Sequence, residues 1–145
     1  MGATQYAVEE TPDGRRLVVS RAIDAPADAV WTLFADTRWW PRWGPSVGAV
    51  EVDGDERTIR EGTTGRVRVA GAWVPFRVDR CRDRRWTWRV AGVPATGHRV
   101  ESVDGRSRAA FEVPLLAAPY AAVCARALRT IARLAERGVT EPSSE

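Results

Sequence analysis

The sequence predicts an α+β domain in which an antiparallel sheet with one wet face packs against a long C-terminal helix. Three observations point there. Short segments between residues 65 and 113 alternate apolar with mostly arginine side chains at period two. Residues 120–134 repeat apolar positions at the helical period, with arginines on the opposite arc. Residues 17–43 run a strand, a helix start and a tryptophan cluster into one another.

Taken in order, Leu17, Val19 and Ile23 share one face of the first strand, and Arg21 interrupts that face. Pro26 then suits the first helical position, where a missing N–H is tolerated, and Asp28 follows in the electropositive first turn. On this helix Val30, Leu33 and Phe34 make one face with Trp31 at its margin, while Asp28, Thr32 and Asp36 lie opposite. Trp39, Trp40 and Trp43 follow in a polar, proline-broken segment. In the later strands Val67 and Val69 oppose Arg66 and Arg68, and Val74, Phe76 and Val78 oppose Arg77. Trp86, Trp88 and Val90 oppose Arg85, Thr87 and Arg89. Thr96, His98 and Val100, then Ala109, Phe111 and Val113, complete the inward set, with Arg99, Glu101, Arg108 and Glu112 facing out. The closing helix gathers Tyr120, Cys124, Ala127, Leu128, Ile131 and Leu134 on its inner arc and Arg126, Arg129, Arg133 and Arg137 on its outer one; Pro119 belongs in its first turn and Gly138 stops it. Residues 1–138 are expected to form a single ligand-binding domain and 139–145 a disordered tail.

Composition narrows the function classes. A chain of 145 residues suits one domain with a core that needs no disulfide. The start lacks the charged and apolar regions of a signal peptide, and no stretch approaches the roughly 18 apolar residues of a membrane span, so a cytoplasmic protein is expected. Cys81 and Cys124 stand without CxxC spacing and read as free thiols. All 22 basic residues are arginine, a pattern of coding bias, and with a net charge of +3 they are dispersed; no nucleic-acid partner is expected.

Ile23-Asp-Ala-Pro-Ala-Asp-Ala-Val-Trp31, Asp36 and Trp43, followed by Gly62 and Gly65, Trp86 and Trp88, His98 and a long terminal helix, resembles the START-like (SRPBCC) superfamily, particularly its polyketide cyclase/dehydrase and lipid-transport branch. The resemblance covers nearly the whole chain. It implies the helix-grip fold: a curved antiparallel sheet of about seven strands around a long C-terminal helix, two short helices after the first strand, and an internal hydrophobic cavity. It implies no single reaction, since members serve as cyclases, aromatases, carriers or sensors.

The candidate cavity walls are Val69, Phe76, Trp86, Trp88, His98 and Phe111, with Phe34 from the first helix and Tyr120, Cys124 and Leu128 from the last. Trp39, Trp40 and Trp43 are placed at the mouth. Each has a plainer reading, because indoles carry large apolar area and pack cores. His98, Tyr120 and Arg21 are the candidate catalytic groups. His98 is either a hydrogen-bonded core imidazole or a ligand and proton-transfer group. Tyr120 either polarises a carbonyl or fills the helix–sheet seam. Arg21 either meets an anionic ligand group or sits at the strand edge, paired or turned outward. Aromatase members of the family tend to carry a cation inside the cavity, so an outward Arg21 breaks that correspondence. Cys124 reads as a small hydrophobe without thiolate activation. No second His or Cys pair sits at ligand spacing, so no metal is expected, and no cofactor.

The leading expectation is therefore a container for a polyketide-like, polycyclic or lipidic molecule, monomeric or homodimeric. The alternative is a cofactor-independent cyclase, aromatase or dehydratase using the same cavity. A third is a docking protein that presents its outer arginines to an acidic partner, against which stands the ordinary role of such arginines in solvated ion pairs.

Overall fold

The computed structural model describes residues 3–138; the expected tail at 139–145 lies outside them. The elements in chain order are β1 (Thr4–Thr11), β2 (Gly14–Ile23), α1 (Ala27–Ala35), a 3-10 turn (Thr37–Trp39), α2 (Trp40–Trp43), β3 (Ala49–Val52), β4 (Thr64–Val69), β5 (Ala72–Arg82), β6 (Arg85–Val90), β7 (Val93–Val103), β8 (Arg106–Pro114), a second 3-10 segment (Leu115–Tyr120) and α3 (Ala121–Glu136). One antiparallel sheet holds all eight strands in the order β1-β2-β8-β7-β6-β5-β4-β3. This is the helix-grip architecture, with one strand more than the seven expected. The strands that periodicity did not bring out are β3, only four residues long, and β1, whose residues are exposed or half-buried throughout. β1 has no core-facing row for a periodicity reading to find. The short helices consequently follow the second strand, and carry the chain from β2 across to the far edge at β3.

Hairpins are set by backbone conformation. Ala70-Gly71, Asp83-Arg84, Ala91-Gly92 and Asp104-Gly105 each connect two strands by two residues with positive φ, the geometry that matches strand twist. Register shifts between Val78 and Arg80 on β5, and between Thr87 and Arg89 on β6, mark bulges, which bend the sheet locally. α1 begins at Ala27 with Pro26 as its N-cap, one residue later than the sequence suggested. Its Val30, Leu33 and Phe34 are fully buried, each contributing about 1.5–3 kcal/mol on burial. Asp36, expected on the polar face, is instead buried at the helix end, where it accepts from the backbone N–H and guanidinium of Arg38. Burial alone would raise its pKa, and the Arg38 bonds outweigh that to hold it below the usual value.

α3 lies against the sheet with Cys124, Ala127, Leu128 and Ile131 inward and Arg126, Arg129 and Arg133 exposed. Four further alanines, Ala121, Ala125, Ala132 and Ala135, are buried, so small side chains dominate the inner face. Pro119 and Tyr120 belong to the preceding 3-10 segment, not to the first turn of α3. Leu115–Glu136 is long and apolar enough, by length and composition, to cross a membrane. The arginine row and the buried inner face show an amphipathic helix docked on its own sheet.

The outer face departs from a uniformly wet surface. Val18, Thr87, Ala110 and Glu112 have outward parity and are buried. Glu112, 2% exposed, accepts at Oε1 and Oε2 from Arg85 and at Oε2 from Arg99. Arg85 also donates to Asp13 and Arg99 to Glu9, which ties the N-terminal hairpin to β6 and β7. Gly97 makes room for the carboxylate: a Cβ there would stand 2.8 Å from Glu112 Oε1.

Candidate functional site

The inner aspects of β6, β7 and β8, the one-turn helix α2, residues 44–47 and the start of α3 enclose a cavity of about 30 Å³. Trp40, Trp43, Trp86, Trp88, His98 and Phe111 form its aromatic walls, Val123, Cys124 and Ala127 its helical wall, and Pro45, Ser46, Val47 and Tyr120 its rim. None of the cavity-lining residues is an Arg, Asp or Glu. Such a space holds about one or two water molecules. Larger depressions, of about 480 Å³ beside Asp24, Arg106 and Glu136 and about 580 Å³ along residues 52–64, are open to solvent and bordered by charged side chains. They lack the apolar enclosure of a small-molecule site.

The tryptophans are fixed by their indole nitrogens. Trp40 donates to the Phe34 carbonyl at 2.8 Å and Trp43 to the Leu33 carbonyl at 2.7 Å. Each bond answers a backbone acceptor near the end of α1. Trp39, Trp40 and Trp43 are 4%, 1% and 7% exposed, so the mouth position suggested by their polar neighbourhood is not where they sit. Trp40 stacks on Trp86, with centroids 5.0 Å apart and planes 1° apart. Trp86 stacks in turn on His98 at 3.9 Å. Gly44 turns the chain out of α2; a Cβ there would come within 2.9 Å of the Trp40 carbonyl oxygen.

His98 is buried and engaged at both nitrogens. Its Nδ1 lies 3.3 Å from the Trp86 carbonyl and its Nε2 2.9 Å from Thr96 Oγ1. A carbonyl only accepts, so Nδ1 carries the proton and Nε2 accepts from the Thr96 hydroxyl. Thr96 Oγ1 also accepts from Trp88 Nε1 at 3.3 Å. Burial pushes the His98 pKa down to about 3, against the opposing effect of the Trp86 carbonyl and with help from the Arg85 charge. The imidazole is neutral at physiological pH. Trp86 Nε1, by contrast, is buried and has no hydrogen-bond partner.

At the rim, Ser46 Oγ and Tyr120 Oη are 2.6 Å apart, an exposed contact across 74 residues of sequence. Burial raises the Tyr120 pKa despite this bond. Cys124 is pushed up to about 12 by burial, so its thiol stays protonated. Both cysteines are free, Cys124 buried and Cys81 half-buried.

Of the residues singled out from sequence, Trp40, Trp43, Trp86, Trp88, His98, Phe111, Tyr120 and Cys124 meet at the cavity. Phe34, Phe76 and Leu128 are buried behind it; Phe34 packs edge-on to His98 and Phe111, and Phe76 packs on Trp40 and Trp88. Trp39 lies under the Arg42 guanidinium and Val69 is half-buried at the end of β4; neither lines the cavity. Arg21 has the inner parity of Val19 and Ile23 but pairs with Ala109, one inward row beyond Phe111 toward the Glu136 end of α3. It does not line the cavity, and its Nε is buried without a partner. No lining residue supplies the interior cation expected of the aromatase members. Residues 44–47, Thr96, Val123 and Ala127 line the cavity without having been among the candidate walls, although Thr96 and Ala127 had inward positions in the sequence pattern. The Gly-Pro-Ser turn after Trp43 was the available signal, whereas nothing local links Ser46 to Tyr120. Among the described residues no group of three or more His, Cys, Asp or Glu could hold a metal ion.

Residues 4–137 match the protein family described as polyketide cyclase / dehydrase and lipid transport. No curated protein matches the chain. Among solved structures, CalU16 from Micromonospora echinospora is 21% identical over 97% of this chain and 87% of its own, with a TM-score of 0.59. Protein jhp0584 from Helicobacter pylori is 16% identical over 93% of this chain and 97% of its own, with a TM-score of 0.65. DynU16, a protein in the dynemicin biosynthetic locus, is 20% identical over 83% of this chain and 47% of its own, with a TM-score of 0.61. At these identities the likeness speaks for the fold alone.

Proposed function

The chain belongs to the polyketide cyclase/dehydrase and lipid-transport family, and from that premise we propose that it holds a hydrophobic small molecule between the sheet and α3 as a carrier, without transforming it. Membership in the family supports hydrophobic ligand binding or polyketide cyclisation as the two available roles. The state of His98 favours the first. A general base needs a pKa near the working pH and a free lone pair within reach of the substrate. His98 is neutral with a pKa of about 3, and its Nε2 already accepts from Thr96. Neither Tyr120 nor Cys124 substitutes for it, since burial raises the pKa of both groups. A structural neighbour encoded in a biosynthetic locus, DynU16, is in keeping with a natural-product ligand.

The cavity of about 30 Å³ has to widen to take such a ligand, because pockets that take small organic ligands run to about 300–1,000 Å³. Opening requires the Ser46–Tyr120 contact to part and residues 44–47 to move away from α3. That is the least costly place to open: the contact is one exposed hydrogen bond, worth about 1 kcal/mol. The aromatic walls behind it are held by stacking and by indole bonds to α1.

Native mass spectrometry after incubation with a panel of polycyclic, polyketide-like and lipidic compounds tests this reading. A one-to-one adduct with the compound released unchanged is the expected result. Failure of the whole panel to bind overturns the container, and turnover abolished by His98→Gln with affinity retained replaces the carrier with a catalyst.

A further inference from the structure

We infer that the occupant of this cavity is a flat, uncharged aromatic carbonyl compound whose oxygen accepts the Trp86 indole N–H, an inference that rests on the container reading above. Most polar groups of the walls are already spoken for. Thr96 donates to His98 and accepts from Trp88; His98 is engaged at both nitrogens; Ser46 and Tyr120 are engaged with each other. Trp40 and Trp43 donate to backbone carbonyls. Trp86 Nε1 is the strong buried donor left over, on a side chain 1% exposed; the one O–H that the Ser46–Tyr120 pair leaves unspent lies at the exposed rim.

A buried donor without a partner costs about 1–3 kcal/mol, so an acceptor supplied by the ligand at this point is strongly favoured. Geometry leaves room for one. Trp40 and His98 stack on the ring plane of Trp86, which leaves its ring edge as the part free to meet an acceptor, and Trp86 is one of the residues that line the cavity. An acceptor without a donor of its own fits best, which is a ketone or quinone oxygen. The remaining surface is aromatic and aliphatic, with indole and phenyl edges and faces that suit a planar ring system. None of the lining residues is an Arg, Asp or Glu. A fatty-acid or other carboxylate would therefore be buried without a counter-ion, and is disfavoured.

The probes are 9-fluorenone, fluorene and fluorene-9-carboxylate, which share one tricyclic frame and differ in the group at a single carbon. Affinities for the wild-type protein are expected to fall in that order, with fluorenone about tenfold tighter than fluorene. In spectra of the ¹⁵N-labelled wild-type protein, the Trp86 indole resonance should move downfield with fluorenone and stay in place with fluorene. Trp86→Phe should bind the two neutral probes equally. If that variant does not fold, the wild-type affinities and the Trp86 resonance decide alone. Equal affinity for fluorenone and fluorene, or an unmoved Trp86 resonance, overturns the carbonyl anchor and leaves the container standing; carboxylate binding as tight as fluorenone overturns the uncharged assignment. Failure of all three probes to bind overturns the inference, while the container stands or falls with the wider panel of polycyclic, polyketide-like and lipidic compounds.

Discussion

The two faces of the sheet bury polar groups under opposite regimes. On the outer face Glu112 is as inaccessible as any core residue, yet three nitrogens from Arg85 and Arg99 reach its two oxygens, and Asp13 and Glu9 extend the chain of ion pairs outward. Arg99 leaves only its Nε without a partner. Around the cavity on the inner face the polar groups are neutral: an imidazole, a threonine hydroxyl and four indoles, held by stacking and hydrogen bonds, while the inner-parity cation Arg21 lies a row away. The outer cluster is a clamp, since its bonds join β1, β6, β7 and β8, and the depressions beside it are bordered by further charged side chains such as Arg16, Asp79, Arg82 and Arg84. The inner cluster surrounds a void and leaves a donor unanswered. Burial of a polar group therefore does not by itself mark a site; an unanswered polar group beside an apolar space does.

Acidification should separate the faces most strongly. The His98 pKa in the folded protein, about 3, lies below its unfolded value of 6.5, so the unfolded state takes up the proton first. Stability from this group is complete above about pH 6.5 and is lost as pH falls toward 3, by up to about 5 kcal/mol over the whole window. Urea unfolding of wild type and His98→Asn across that range should show the wild-type slope flattened in the variant. Parallel slopes would place the acid sensitivity elsewhere.

Glu112→Gln comes next, because it removes the charge that answers two partly buried guanidiniums. Breaking a fully buried pair costs about 3–5 kcal/mol, and since Arg85 and Arg99 retain some solvent, about 3 kcal/mol is expected. Chemical denaturation reads the loss, and ligand affinity should be unchanged. A variant that weakens binding as much as stability would mean the clamp also shapes the cavity.

The smallest effect in equilibrium stability belongs to the rim. Tyr120→Phe deletes the exposed contact with Ser46 and should cost about 0.5–1 kcal/mol or less. It should nevertheless speed ligand uptake severalfold in stopped-flow binding. An unchanged on-rate would mean the cavity opens elsewhere.

How much of this was legible in the sequence follows from what each region asks of its residues. The inner rows of β6, β7 and β8 face one core, so period two brings out the shared face of Trp86, Trp88, His98 and Phe111, which line one cavity. β1 has no buried row, and its pairing with β2 leaves no trace in hydropathy. The polar sequence around Trp39 to Trp43 suggested exposure, whereas the indole N–H bonds to Leu33 and Phe34 draw those rings inward. Outward parity likewise predicted a solvated Glu112; only contact with Arg85 and Arg99, distant in sequence, reveals its burial. Arg21 shows the limit of parity in the other direction. Parity assigns it to the inner face, but only register shows that it lies a row away from the cavity.

The most direct test of the container is to block it. Val123 is a half-buried residue of α3 at the cavity wall, and Val123→Trp should fill the opening while α3 keeps its other contacts. Titration of wild type and variant with 9-fluorenone, followed by calorimetry, should show saturable one-to-one binding in the wild type, weakened by about tenfold or more in the variant. Equal affinity in the two proteins would place the ligand outside this cavity and contradict the account.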